Sequence, residues 1–296
     1  MDTSRRGALG RLALIGATLL WGSSFVVLKT TIDSVPTLWV LAIRFTGAAV
    51  LMGIPCLKQL RKIDRGCLRA GALMGVMLFA AYTLQTFGLE RTTPGKNAFL
   101  TATYCVLVPF LWWAFERKRP DRYNLLAALV CITGMAMVSL SDGLTVGPGE
   151  ALTMCCGLFY ALHIIFTSKG AAKYGVGVLT TLQFATAALL CWVTAPFSAP
   201  FPAEVPAGAW LSIAYLCVMC TGVCYLLQTI GQKYTSPQTS SILLTLESVF
   251  GTLISVIFYH EALTVRELAG FVLIFCAVLI SETKLGFLRR RHPAAG

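Results

Sequence analysis

Charge is what this sequence has least of. Asp, Glu, Lys and Arg make up 12% of its 296 residues, and only 13 of those are acidic; a water-soluble domain carries roughly twice that share. Long polar stretches are missing too, so nothing between the apolar runs is large enough to fold as a second, soluble domain. Histidine is scarce, and His163, His260 and His292 have no recognisable zinc-ligand spacing. A Gly-x-x-x-x-Gly-Lys-Ser/Thr phosphate loop is lacking, which argues against a nucleotide-driven pump. No nucleophile context supports a Ser-His-Asp arrangement. These absences leave no catalytic constellation, and we expect no enzyme activity, no cofactor and no metal.

What is present instead is apolar length. A lipid-spanning helix needs about 20 apolar residues, and such runs recur at 11–31, 36–57, 69–89, 94–115, 123–140, 148–168, 177–197, 207–231, 236–258 and 265–285. The expected fold is an all-α integral membrane protein of ten transmembrane helices. A soluble helical bundle is excluded because these runs lack the polar face it would turn to water. The connections carry breakers, such as Asp33-Ser34-Val35-Pro36, Arg119-Pro120-Asp121 and Gly147-Pro148-Gly149. Arg5, Arg6 and Arg11 ahead of an apolar run resemble a signal peptide, but the run continues to Ile32 with no cleavage signature and reads as a retained first helix. Most of the 11 cysteines lie inside the apolar runs, where Cys behaves as a small hydrophobe. Cys217, Cys220 and Cys224 share a face that could hold a metal, though helix packing explains the same spacing.

The formal charge of +11 is accounted for by topology. With ten spans and a cytoplasmic N-terminus, 19 of the 24 Lys and Arg residues fall on the cytoplasmic side. Lys29, Arg91, Lys96 and Arg266 fall outside, and Arg44 within a span. This bias predicts a multi-pass protein of the bacterial inner membrane with both termini cytoplasmic. Nucleic acid is not needed as a partner.

The chain also repeats itself. Residues 82–100 and 225–243 match at a constant offset of 143, with 8 of 19 positions identical: Tyr82/Tyr225, Leu84/Leu227, Gln85/Gln228, Thr86/Thr229, Gly88/Gly231, Thr92/Thr235, Pro94/Pro237 and Leu100/Leu243. The offset equals five spans, an odd number, so equivalent helices would cross the bilayer in opposite directions. The expected halves are 11–140 (helices 1–5) and 148–285 (helices 6–10). Inverted repeats of this kind build secondary transporters, with the substrate near the midplane between the halves.

Certain motifs carry a resemblance. Trp21-Gly22-Ser23-Ser24-Phe25 with Lys29 opens the chain, and Arg44 follows in the second span. Then come Gln85-Thr86-Phe87-Gly88-Leu89, and Asn97-Ala98-Phe99-Leu100-Thr101 leading to Val108-Pro109. Leu246-Glu247-Ser248-Val249, His260-Glu261-Ala262-Leu263 and Gly270 complete the series. In this order the sequence resembles the EamA-type members of the drug/metabolite transporter superfamily over nearly its whole length. The resemblance implies ten helices in two EamA repeats and efflux of small metabolites, amino acids or toxic compounds. Ser248 departs from the family pattern, which has proline after the glutamate, and that puts a proline kink there in question.

Polar side chains inside the hydrocarbon are costly and so mark the pathway. Glu247, near the middle of the ninth span, could bind a substrate amine or carry a proton. Asn97, Thr101 and Tyr104 form a stripe at i, i+4, i+7. Tyr82 and Gln85 share a face of the third span, as Tyr225 and Gln228 do, with Thr221, in the eighth; each Gln would face one mouth of a central cavity. His163 is a candidate for proton coupling, while Trp21 and Ser24 offer a wall for an amphipathic ligand. Every one of these has a blander reading as interhelical hydrogen bonding or packing. Arg44 could snorkel or pair with a carboxylate, and a peripheral, structural place is expected for it. The expected function is a carrier for a small-molecule metabolite, with a cavity lined by spans 1, 3, 4, 6, 8 and 9, acting as monomer or homodimer. A non-transporting membrane sensor of the same fold is the alternative.

Overall fold

The structure is a computed structural model describing residues 3–117, 119–139, 147–259 and 264–284. Lys118, the His260–Leu263 motif, Arg289 to Arg291 and His292 lie outside the described residues. Those described are helical throughout, with no strand. The helices are α1 (Thr3–Ile32), α2 (Thr37–Leu60), α3 (Arg65–Glu90), α4 (Pro94–Thr101), α5 (Tyr104–Glu116), α6 (Arg122–Ser139), α7 (Pro148–Ala171), α8 (Val176–Ser198), α9 (Ala207–Cys217), α10 (Cys224–Tyr234), α11 (Pro237–Leu244), α12 (Leu246–Tyr259) and α13 (Val265–Thr283). Eight stretches among them are long and apolar enough to cross a membrane. Two more, Arg122–Met137 and Leu268–Ser281, are apolar but shorter.

Three of the apolar runs are interrupted helices. The run from Pro94 breaks between α4 and α5, and the run from Pro237 breaks between α11 and α12. Both begin alike: Thr93 and Ser236 cap with their hydroxyls, and proline occupies the first turn, where its missing N–H costs nothing. Neither break sits at a proline. At the first, the Thr103 hydroxyl donates to Leu100 O; at the second, Thr245 donates to Ile242 O and Ser248 to Thr245 O. These back-bonds compete with the helical ladder, and the local amides shift to i→i+3 partners. Ser248 therefore takes part in the interruption without the family's proline. The third interruption is a π-helical turn, Val218–Val223, between α9 and α10.

Helices α1, α3, α4–α5, α7, α9–α10 and α11–α12 form a central ring. Outside it α2 packs on α8, and α6 on α13. Close approach within the ring is made by small residues. A Cβ on Gly88 would stand 2.8 Å from Gly149 O, and one on Gly231 2.8 Å from Gly10 O, so only glycine admits α7 and α1 at those crossings. Large apolar side chains such as Leu129, Leu189, Phe197 and Leu211 point outward, as lipid contact requires. At the rim Lys29 donates to the carbonyls of Leu89 and Glu90, satisfying the last turn of α3.

Candidate functional site

A small cavity lies at the centre of the ring. Trp21, Ser24 and Phe25 reach it from α1, Tyr82 and Gln85 from α3, and Tyr104 from the start of α5. Tyr160 and Ile164 come from α7, Tyr225 and Gln228 from α10, Leu244 from the end of α11 and Glu247 from the first turn of α12. Eight of these twelve form four pairs at the repeat offset: Trp21/Ile164, Tyr82/Tyr225, Gln85/Gln228 and Tyr104/Glu247. Two pairs meet directly. The rings of Tyr82 and Tyr225 lie 6.2 Å apart, and Tyr104 Oη donates to Glu247 Oε1 at 2.9 Å.

The helix breaks place the polar groups. Glu247 follows the α11–α12 interruption and stands in the first turn of α12, where the partial positive charge of the helix end favours a carboxylate. Tyr104 opens α5 in the same way. The i, i+4, i+7 stripe divides at the α4–α5 break. Tyr104 enters the cavity, while Asn97 and Thr101 stand behind it and hold Gln85. Asn97 Nδ2 donates to Gln85 O at 3.0 Å and to Thr153 Oγ1 at 2.8 Å, and Gln85 Nε2 donates to Thr101 Oγ1 at 2.9 Å. Tyr160 Oη donates to Gln85 Oε1 at 2.7 Å. Gln85 is thereby fixed on three sides, whereas Gln228, also buried, keeps an Oε1 with no hydrogen-bond partner.

His163 lies off the cavity wall. Its Nε2 faces Gln183 Oε1 at 2.8 Å, and its ring meets the Tyr225 ring edge-on at 5.7 Å. On α7 the cavity face is instead Tyr160 and Ile164, four residues apart. This pair is visible in the sequence through that spacing, and through Ile164 being the repeat counterpart of Trp21. Phe25 and Leu244 also line the cavity; apolar side chains in apolar helices gave no signal for them.

Arg44 does not snorkel: α2 lies outside the ring, as expected, but the side chain turns inward and is fully buried. Its Nη2 donates to Tyr82 Oη and to Cys220 O, each at 3.1 Å, and its Nε to the Thr221 hydroxyl. The π-turn explains the second acceptor. Thr221 bonds back to Leu216 O, five residues away, and the Cys220 carbonyl accepts from both Arg44 and Trp21 Nε1 (2.8 Å); π-turns of this kind recur at functional sites. The thiols of Cys220 and Cys224 point to the α1 carbonyls of Leu20 and Ala17, both at 3.5 Å, so this cysteine face packs helices. Among the described residues no three His, Cys, Asp or Glu side chains cluster as a metal site.

Apolar helices around a polar, aromatic cavity define a multi-pass membrane protein of the transporter type. The family model of the EamA-like transporter family matches residues 8–140 and again 147–283, and the chain belongs to that family. It is 30% identical over 276 residues to an "Uncharacterized transporter" of Archaeoglobus fulgidus, covering 93% of this chain and 86% of that one. It is 20% identical over 292 residues to the "Uncharacterized transporter YoaV" of Bacillus subtilis, covering 95% and 98%. A crystal structure with 18% identity superposes with a TM-score of 0.77 over 94% of this chain and 98% of the other, a likeness of fold.

Proposed function

We propose that the protein is a secondary carrier that exports small organic metabolites, amino acids or related compounds and drugs among them, by alternating access. In this reading ten spans cross the bacterial inner membrane with both termini cytoplasmic, and residues 11–140 and 148–285 are inverted halves. The observation that carries it is the pairing across the cavity: eight lining residues fall into four pairs at one offset, and two pairs touch. Residues that meet their own counterparts lie on a pseudo-two-fold axis, and a midplane site on such an axis is the construction that lets a carrier open to either side. The crossings support it too. Gly88 meets Thr153 of α7, and its counterpart Gly231 meets α1 at Gly10, which is itself the counterpart of Thr153.

Trp21, Ser24, Tyr82, Gln85, Tyr104, Tyr225, Gln228 and Glu247 then contact substrate, with Asn97, Thr101 and His163 holding the wall. Glu247 binds a substrate ammonium or exchanges a proton against it. Counterflow of labelled metabolites in proteoliposomes tests the reading. Flux above protein-free vesicles is expected; a folded protein silent across a broad panel would favour a sensor.

A further inference from the structure

The guanidinium of Arg44, carried by α2 from outside the ring, is fully buried with one nitrogen unpartnered among the described residues. Its acceptors are the Thr221 and Tyr82 hydroxyls and the Cys220 carbonyl, all neutral. Among the described residues no carboxylate pairs with it, and its Nη1 has no hydrogen-bond partner although fully buried. A buried cation without a counter-charge is costly in the hydrocarbon and marks a pathway rather than a packing site. A residue serving only to join α2 to the π-turn would need neither the full charge nor a spare guanidinium nitrogen.

Position supplies the second argument. The Arg44 Cζ lies 4.7 Å from the Tyr82 ring centroid, and Tyr82 is part of the cavity wall. One aromatic ring thus separates the guanidinium from the cavity. From there the wall continues through Tyr160, 5.8 Å from Tyr82, and Tyr104, 6.3 Å from Tyr160, to the Glu247 carboxylate. The cavity is an aromatic passage with a carboxyl group at one end and a guanidinium behind the other. Arg44 is also outside the repeated frame, for its counterpart in the second half is Ala187.

We propose that Arg44 is the carboxylate-binding element of the cavity, reached when the Tyr82 ring turns aside, and that the substrate is a small zwitterion. Its ammonium group lies toward Glu247, its carboxylate toward the Arg44 fork, and its apolar part against the tyrosines. A planar guanidinium offers paired N–H donors that match a carboxylate. This inference rests on the carrier reading and narrows its cargo.

The test uses the full chain in proteoliposomes. Leucine, methionine and phenylalanine are each compared with their carboxamides and decarboxylated amines, which keep the side chain and the cationic end. The wild type is expected to carry the free acids at least about tenfold better, a threshold well below the rejection a site built to bond a group can reach. Arg44→Gln should bring that ratio near one, and Arg44→Lys, which keeps the charge and loses the fork, should leave it intermediate. The wild-type comparison of acids with amides and amines decides the inference even if the Arg44 variants fail to fold. Amines or amides carried as well as acids would overturn the inference and leave the carrier reading standing. A preference surviving Arg44→Gln would also overturn it. Absence of flux for every one of these compounds overturns the zwitterion assignment, and the carrier reading is then judged by the broader metabolite panel.

Discussion

The two halves of the cavity wall share a backbone plan and differ in chemistry. Positions related by the repeat offset agree wherever the chain must turn, cap or pack closely: Thr93 and Ser236, Pro94 and Pro237, Gly88 and Gly231, and the interruptions after Thr101 and Leu244. They disagree where charge enters and at the Asn97 amide, while the glutamines Gln85 and Gln228 agree. Glu247 answers Tyr104, Ala187 answers Arg44, Ser240 answers Asn97, and Thr264 answers Asp121. In the proposed carrier a frame repeated in this way would let either crossing part by equivalent movements, while unequal side chains would give the cavity a polarity that symmetry alone would cancel. Restoring the symmetry one position at a time separates the two contributions.

The largest effect is expected at position 247. Glu247→Gln removes the ionisable group while keeping its size and its capacity to accept from Tyr104. We expect flux to lose all dependence on an imposed pH gradient, measured in proteoliposomes with acid inside or outside. Glu247→Tyr, which makes the pair symmetric, should do the same, whereas Tyr104→Phe should keep the dependence at reduced rate. A gradient dependence unchanged in Glu247→Gln would remove this carboxylate from the coupling step.

Stability separates the two crossings. At Gly88 an added Cβ would stand 2.2 Å from Thr153 Oγ1, and at Gly231 2.5 Å from Leu14 Cγ. The Thr153 hydroxyl is held by Gly149 O and by Asn97, each at 2.8 Å, so it cannot turn away without losing bonds; a leucine side chain can. Overpacking costs about 1–3 kcal/mol, with Gly88→Ala expected near the top of that range and Gly231→Ala near the bottom, read by thermal unfolding in detergent. Equal losses would mean that the polar network adds no rigidity. Asn97→Ser, which copies Ser240, removes the bonds to Gln85 and Thr153. It should cost about 0.6–2 kcal/mol, the range for interhelical hydrogen bonds in membranes.

Apolar length and breaker residues made the eight long apolar helices readable in the sequence. The internal repeat brought Tyr82, Gln85, Tyr225 and Gln228 forward as counterparts, and the structure sets all four around one cavity. The interruptions were not readable. They come from threonine and serine hydroxyls that bond back along their own helices, and nothing in the pattern distinguishes a Thr that does so from one that does not. Because the break divides Asn97 and Thr101 from Tyr104, a regular helical stripe assigned three residues to one role when they have two. The inward turn of Arg44 was hidden for a different reason. Its burial is decided by α3 and the π-turn, elements distant in the chain, and one arginine near a span end looks the same whether it snorkels or turns inward.

The smallest expected effect lies at the membrane edge, where Asp121 precedes α6 as Thr264 precedes α13. Partial burial works against the Asp121 charge. The Lys284 ammonium at 2.6 Å, the Tyr123 N–H at 3.0 Å and nearby Arg122 outweigh that burial and hold the carboxyl below its ordinary value. A carboxylate depressed in the folded state adds stability above its unfolded pKa and loses it as pH falls through the folded one. Asp121→Thr, the symmetric choice, should therefore lower stability at neutral pH by an amount within the ~0–1 kcal/mol of exposed ion pairs. The gap from wild type should close as pH falls from about 4 downward. Melting curves of both proteins from neutral to acid pH measure it. A gap that stays open in acid would assign the contribution to the cap on Tyr123 rather than to the pair with Lys284, and the two helix starts would then differ in geometry as well as in charge.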